Sequence, residues 1–178
     1  AASDVYKRQI AERLVNVAKA IAGRMPGALA QTNIIANMLF GAISGSGAAA
    51  AAAMGGTIGP MEEKEGYDPV YSATVNIASA PTGMLIPPSN LMIVYSTIAG
   101  SVSVAALFTA GYLPGILWGI IVMVIAGITA KKKGYVIKEN VSGKQALKAI
   151  LDAIPSLLLI VIIIGGILAV SYTHLTLP

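Results

Sequence analysis

Two stretches of this chain, residues 25–61 and 69–130, contain no Asp, Glu, Lys, Arg or His. Roughly 20 predominantly apolar residues are enough to cross the hydrocarbon core of a bilayer, and each stretch is longer than that. A soluble helical domain needs charged side chains on its outer faces and usually carries about 25% of them. Here the share is 11%, with a mean hydropathy of +0.76. The chain therefore reads as an all-α integral membrane protein.

The remaining charges sit in short connections between apolar runs, and they sum to +4. Basic clusters placed that way favour the anionic cytoplasmic leaflet of a bilayer as partner, not nucleic acid. Cysteine is absent, which excludes disulfides and thiolate metal sites. The opening AASDVYKRQ is polar and lacks the apolar core of a signal peptide. AASDVYKRQ and the final SYTHLTLP resemble translated sequencing-adapter strings, so residues 1–9 and 171–178 are expected to be non-native edges of an internal fragment. His174, the only histidine, lies in the second string and is given no role.

Residues 10–24 place Ile10, Leu14, Val17 and Ile21 on one helical face, the pattern of an amphipathic interfacial helix. Residues 27–60 are apolar but interrupted by Ser44-Gly45-Ser46-Gly47. A single crossing by this segment would split the basic clusters across the bilayer, against the positive-inside tendency. A segment that enters and returns, bending at SGSG, keeps Arg13, Lys19, Arg24, Lys64 and Lys131–Lys133 on the cytoplasmic side. The expectation is a re-entrant hairpin over 25–61, a broken transmembrane helix over 70–100 and an unbroken one over 104–130. A basic amphipathic segment over 131–152 then leads to a further span or hairpin from 153 to 170, itself interrupted at Gly165-Gly166.

Non-helical backbone inside a membrane is tolerated only when protein covers it or it lines a watery cavity. The bend at SGSG therefore needs partners, and the small residues after it, Ala48–Ala53, let other helices approach closely enough to supply them. The second break supplies the complement. Pro81, Pro87 and Pro88 lack backbone N–H groups and Gly83 relaxes the chain, so the helix must open around 80–83 or 86–89. Freed carbonyls are hard ligands for a weakly held alkali cation, and free N–H groups at half-helix starts favour an anionic cargo. Ser44, Ser46, Thr82, Ser89 and Asn90 add side-chain oxygens or donors. With no carboxylate in either segment, a proton relay or a divalent-metal site is disfavoured, and Na⁺ on neutral oxygens fits better.

FGAISGSG (40–47), GPMEEKEGYDP (59–69), TGMLIPPSNLMIVYS (82–96), LFTAGYLPGILWG (107–119) and KKKGY (131–135) together resemble a known family. It is the large permease subunit, DctM type, of the tripartite ATP-independent periplasmic (TRAP) transporters, matched in order over about residues 10–170. The resemblance implies an elevator-type, inverted-repeat fold in a bacterial inner membrane, with several crossings. It also implies Na⁺-driven import of an organic acid such as a C4-dicarboxylate or sialic acid, with no enzymatic activity and no cofactor beyond the coupling ion. The implied partners are a small four-helix membrane subunit and a periplasmic solute-binding protein. The fragment would hold the first repeat and the opening of the second. Carried onto these residues, a first Na⁺ site would use Ser44, Gly45 and Ser46 with Ala80, Thr82 and Gly83, and Pro87, Pro88, Ser89 and Asn90 would border the substrate path. Many members place an Asp shortly after SGS, where this chain has Ala50.

Two other readings share these features: a divalent-anion:Na⁺ symporter of the elevator kind, and a non-transporting membrane scaffold. The former usually carries Asn/Thr-rich hairpin tips in place of SGS. A scaffold has no reason to break two helices at membrane depth. An intramembrane enzyme is disfavoured because the uncharged stretches hold no catalytic acid, base or nucleophile pair.

Overall fold

The computed structural model describes residues 2–100, 102–135 and 143–176, and the described residues are helices and the turns between them, with no strand. In chain order the helices are α1 (Ala2–Ala22), α2 (Ala28–Ser44), α3 (Gly47–Lys64), α4 (Pro69–Ser79), α5 (Thr82–Leu85), α6 (Asn90–Ala99), α7 (Val104–Lys132) and α8 (Gly143–Thr176). Residues 136–142 of the expected basic amphipathic segment lie outside the described residues.

Helix α2 is the hub, packed against α1, α3, α4, α5 and α7. Leu29, Ala30, Ile34 and Ala36 are fully enclosed, and so are the polar Thr32 and Asn37. A helix surrounded in this way has no need of an amphipathic pattern, and α2 shows none. In lipid the hydrophobic drive between helices is lost, so close packing of small residues and interhelical hydrogen bonds have to hold the bundle. Both are present. Gln31 Nε2 donates to the Met123 carbonyl (2.9 Å), Tyr71 Oη to the Ala126 carbonyl (2.8 Å) and Trp118 Nε1 to the Ala78 carbonyl (2.8 Å), tying α7 to α2 and α4.

Helix α1 packs through Ala11, Leu14, Val15, Val17, Ala18 and Ala22. Of the expected Ile10–Leu14–Val17–Ile21 face, Leu14 and Val17 are buried and Ile10 packs against the cluster, whereas Ile21 is 56% exposed. The inward alanines widen that face and let α1 approach α2 and α3, where Phe40, Ala50, Met54 and Ile58 complete the cluster.

At one end of the bundle, Leu29 at the start of α2, Tyr67 after α3, Tyr71 in α4 and Ala126 and Ala130 near the end of α7 form a second cluster. Tyr67 and Tyr135 stack with ring centroids 4.3 Å apart. The Asp68 carboxylate pairs with Lys133 and also caps α4 by accepting from Val70 N at 2.9 Å, with Pro69 at the first helical position. The hydrogen bond from Lys133 holds the Asp68 carboxyl below its ordinary value and, reciprocally, raises the Lys133 amine. The start of α2, the end of α3 and the end of α7 thus share one end of the molecule. Helix α2 runs away from that end and α3 comes back to it.

Helix α7 spans 29 residues, about 44 Å at 1.5 Å per residue. Among the described residues it is the one continuous helix long and apolar enough to cross a membrane. The α4–α5 and α6 pair meets the same criterion only if counted as one span bent by 45°. Leu113, Leu117, Ile121, Val124 and Ile128 on α7 are all exposed, an apolar surface suited to hydrocarbon.

One expectation fails here. Helix α8 continues through Gly165-Gly166 without a break. Glycine weakens a helix by about 1 kcal/mol relative to Ala but keeps its N–H and carbonyl in the ladder, whereas proline removes a donor. Flanked by LLLIVIII and ILAV, the pair is carried along.

Candidate functional site

The break between α2 and α3 is two residues long, shorter than the four-residue SGSG motif. Ser44 completes α2, Gly47 begins α3, and only Gly45 (φ 62°) and Ser46 (φ −136°) leave helical geometry. Gly45 N closes the last turn on the Gly41 carbonyl at 2.7 Å. Ser46 Oγ accepts from Ala49 N at 3.3 Å, which makes Ser46 the N-cap of α3. Ser44 Oγ accepts from Ser46 N and donates to the Ser46 carbonyl, each at 3.3 Å. Gly45 is required twice over. Its φ lies in the left-handed region, and a Cβ there would sit 2.9 Å from the Pro88 carbonyl oxygen.

The second element is interrupted at both expected places, in different ways. Ala80 and Pro81 keep helical dihedrals, so the first interruption is a kink; Ala80 N still reaches the Asn76 carbonyl at 3.2 Å. True unwinding comes at 86–89, where Ile86 and Ser89 are extended and the Pro87-Pro88 bond is cis. Ser89 Oγ then caps α6 by accepting from Met92 N at 3.4 Å. Thr82 and Ser89 are both fully buried, and Thr82 Oγ1 donates to the Ser79 carbonyl at 2.6 Å.

The two breaks meet. Asn90 Nδ2 donates to the Ser44 carbonyl at 3.2 Å and Asn90 N to the Gly45 carbonyl at 3.4 Å. A Cβ on Gly47 would lie 2.9 Å from the Ala80 carbonyl oxygen, so the start of α3 rests against the kink. Below the tip, the Gly41 and Gly83 backbones touch, bringing α2 onto α5. Ser44, Gly45 and Ser46 are therefore gathered with Pro88, Asn90 and Ala80 in one uncharged, oxygen-rich locality. Thr82 and Gly83 lie one layer down, with the Thr82 hydroxyl committed to Ser79. Backbone carbonyls and hydroxyls of this kind suit a monovalent cation held weakly, and no carboxylate is present for a divalent one.

A polar layer beneath this site was not anticipated from the sequence. Asn37 Nδ2 lies 2.8 Å from Asn33 Oδ1, 2.9 Å from Asn76 Oδ1 and 2.8 Å from Ser79 Oγ. Asn76 Nδ2 passes the connection on to the Ala51 carbonyl in α3 at 2.9 Å. The signal was available: Asn33 and Asn37 are four residues apart and Asn76 and Ser79 three apart, so each pair shares a helical face. The other unforeseen residue is Glu62, 1% exposed near the end of α3.

Comparison with known proteins fits this architecture. Residues 3–178 match the family model described as "Tripartite ATP-independent periplasmic transporter, DctM component". The chain is 56% identical over 164 residues to the uncharacterized protein YgiK of Salmonella typhimurium, covering 92% of this chain and 38% of that protein. Two Vibrio cholerae proteins are also similar. The C4-dicarboxylate TRAP transporter large permease protein DctM is 39% identical, with 92% of this chain and 36% of the relative covered. The sialic acid TRAP transporter large permease protein SiaM is 38% identical, with 92% and 38% covered. The chain thus spans between a third and two fifths of the length of these curated relatives. By the breadth of the family match and the order of its motifs, this chain belongs to the DctM, or large permease, family of the tripartite ATP-independent periplasmic transporters.

Proposed function

We propose that this chain forms part of the inner-membrane permease of a Na⁺-coupled importer of an organic acid. The printed names of the Vibrio cholerae relatives, a C4-dicarboxylate and a sialic acid permease, indicate the class of cargo. In this reading α2 and α3 are a re-entrant hairpin whose tip, with the kink at Ala80, Thr82 and Gly83, holds Na⁺, while Pro87, Pro88, Ser89 and Asn90 border the cargo. The family supplies the expected partners: a small membrane subunit and a periplasmic binding protein that delivers the substrate. An elevator needs both repeats, so residues 10–170 alone should transport nothing.

The observation that carries this reading is the docking of one helix break on the other, with Asn90 bonded to the Ser44 and Gly45 carbonyls. Buried polar backbone is costly unless partnered. Two breaks placed against each other in an uncharged setting partner one another, and each carbonyl that accepts one hydrogen bond there keeps a second lone pair. The clustering of the ends of α2, α3 and α7 gives further support, because it brings Arg24, Lys64 and Lys131–Lys133 toward one side as the positive-inside tendency requires.

The test is uptake by the full-length permease with its partner subunits in proteoliposomes. Labelled C4-dicarboxylate or sialic acid should enter only under an inward Na⁺ gradient. Ser46→Ala should weaken the apparent Na⁺ affinity by about tenfold, the equivalent of about 1.4 kcal/mol. Unchanged uptake when choline replaces Na⁺ would overturn the coupling.

A further inference from the structure

Away from the helix breaks, a cavity of ≈ 340 Å³ opens between α2, α3 and α4 on the side of the tyrosine cluster. Asn33, Glu62, Tyr67, Ser72 and Asn76 contribute to its wall. Glu62 and Asn33 are each 1% exposed, yet Glu62 Oε1 has no donor and Asn33 Nδ2 has no acceptor. The Ser72 hydroxyl lies beside the carboxyl and is itself without a completed hydrogen bond.

The charges around this carboxyl do not compensate it. Helices α2 and α5 carry no titratable group. Of α3 and the turn after it, Glu63 and Tyr67 line the same cavity. From α4 and beyond α7 come Tyr71 and Tyr135, while Asp68 and Lys133 are engaged with each other. The charged residues Glu12, Arg13 and Lys19 of α1 do not line the cavity, and neither do Arg24, Lys64, Lys131, Lys132 or Lys148. A carboxylate buried without a cation is expensive and relieves the cost by taking a proton. The neutral acid needs no cation in a wall that supplies none. Its carbonyl oxygen can still accept from the Ser72 hydroxyl or the Asn33 amide.

From this cavity we infer that Glu62 is a proton-binding site at the base of the hairpin, with Asn33 and Ser72 as its neutral partners. The step is a simple transfer: hydronium gives its proton to a Glu62 carboxylate oxygen and leaves as water. Burial supports the assignment, pushing the Glu62 carboxyl up to about 7, with Ser72 pulling slightly the other way. Deprotonation leaves an unpaired negative charge between α2, α3 and α4. The proton site needs neither Na⁺ nor cargo, so its test stands apart from transport.

In the full-length permease in detergent, infrared titration should show a protonated carboxyl band with a midpoint near pH 7 that is absent from Glu62→Gln. The sign of the stability effect is fixed as well. An acid whose folded pKa is raised binds its proton more tightly when folded, so stability falls as pH rises from the ordinary carboxylate range to about 7 and is level above it. Glu62→Gln should remove that slope from the thermal-unfolding midpoint. A band titrating in the ordinary carboxylate range would overturn the site. So would a midpoint that falls as Na⁺ replaces choline at constant ionic strength, since the cavity would then be a cation site. The wild-type titration stands even if the variant fails to fold.

Discussion

Gly41 and Gly83 cross with their backbones in contact: a Cβ built on Gly41 would lie 2.1 Å from the Gly83 Cα, and one built on Gly83 would lie 2.5 Å from the Gly41 Cα. No real side-chain carbon fits at that separation, so this crossing sets how closely α2 and α5 approach. It also sets the height at which the hairpin tip meets the unwound segment, since Gly45 is one turn beyond Gly41 and Ile86 one turn beyond Thr82.

Gly41→Ala and Gly83→Ala should therefore each force the two breaks apart. Overpacking a tight contact typically costs about 1–3 kcal/mol. Both variants should lower the unfolding midpoint of the full-length permease. They should also speed hydrogen exchange at the Asn90 amide, which donates to the Gly45 carbonyl. Gly56→Ala is the control, because a Cβ there meets nothing within 4 Å. Equal effects at Gly41 and Gly56 would remove the crossing from the account.

The Asn37 layer makes a separate forecast. Its amide serves acceptors on α2 and α4, and Asn76 extends the chain of bonds to α3. The Asn37 amide has two hydrogens, so Asn37→Ala leaves two of the three oxygens Asn33 Oδ1, Asn76 Oδ1 and Ser79 Oγ short of a donor in a dry interior. Each buried group left without a partner costs about 1–3 kcal/mol, while interhelical bonds in membrane proteins average nearer 0.6 kcal/mol. A loss of about 1–2 kcal/mol is expected for Asn37→Ala. Asn37 and Ser79 should be coupled in a double-mutant cycle of thermal unfolding. Additive effects would show that the layer is not one network.

Much of this was legible before the structure. Pro87 and Pro88 remove donors outright, and the residues after Ser44 need a left-handed step that glycine supplies, so both breaks fall where local chemistry demands them. The unbroken apolar run expected over 104–130 is α7. What stayed hidden depends on neighbours. The glycine pair at 165–166 is permissive without being directive, and α8 ignores it. On α1 the exposure of Ile21 and the inward alanines beside Leu14 and Val17 depend on where α2 and α3 approach it. Asn90 was placed on the cargo path by family likeness, and its bonds to Ser44 and Gly45 are long-range facts that no local pattern encodes. Glu62 looks like one more charge in the run EEK; only folding buries it while Glu63 and Lys64 stay exposed.

The remaining prediction concerns the side of the membrane on which the hairpin begins and ends. Helices α2 and α3 contain 17 and 18 residues, about 26 and 27 Å each, against a hydrocarbon core of about 30 Å. Either helix alone falls short of a full crossing, and the turn at Gly45-Ser46 would have to face solvent if both crossed. In the structure that turn faces Pro88 and Asn90 instead, while Tyr67 and Asp68 sit with Lys133 and Tyr135. If the hairpin is re-entrant, Arg24 and Lys64, which flank it, lie on the same, cytoplasmic, side. The chain has no cysteine, so Arg24→Cys and Lys64→Cys give single reporters at exposed positions. Both should resist a membrane-impermeant maleimide applied from the periplasmic face and react once the membrane is opened. Periplasmic labelling of Lys64→Cys, with Arg24→Cys still protected, would mean that α2 and α3 together cross the bilayer once. The two helix breaks would then lack the shared depth that a common ion site requires.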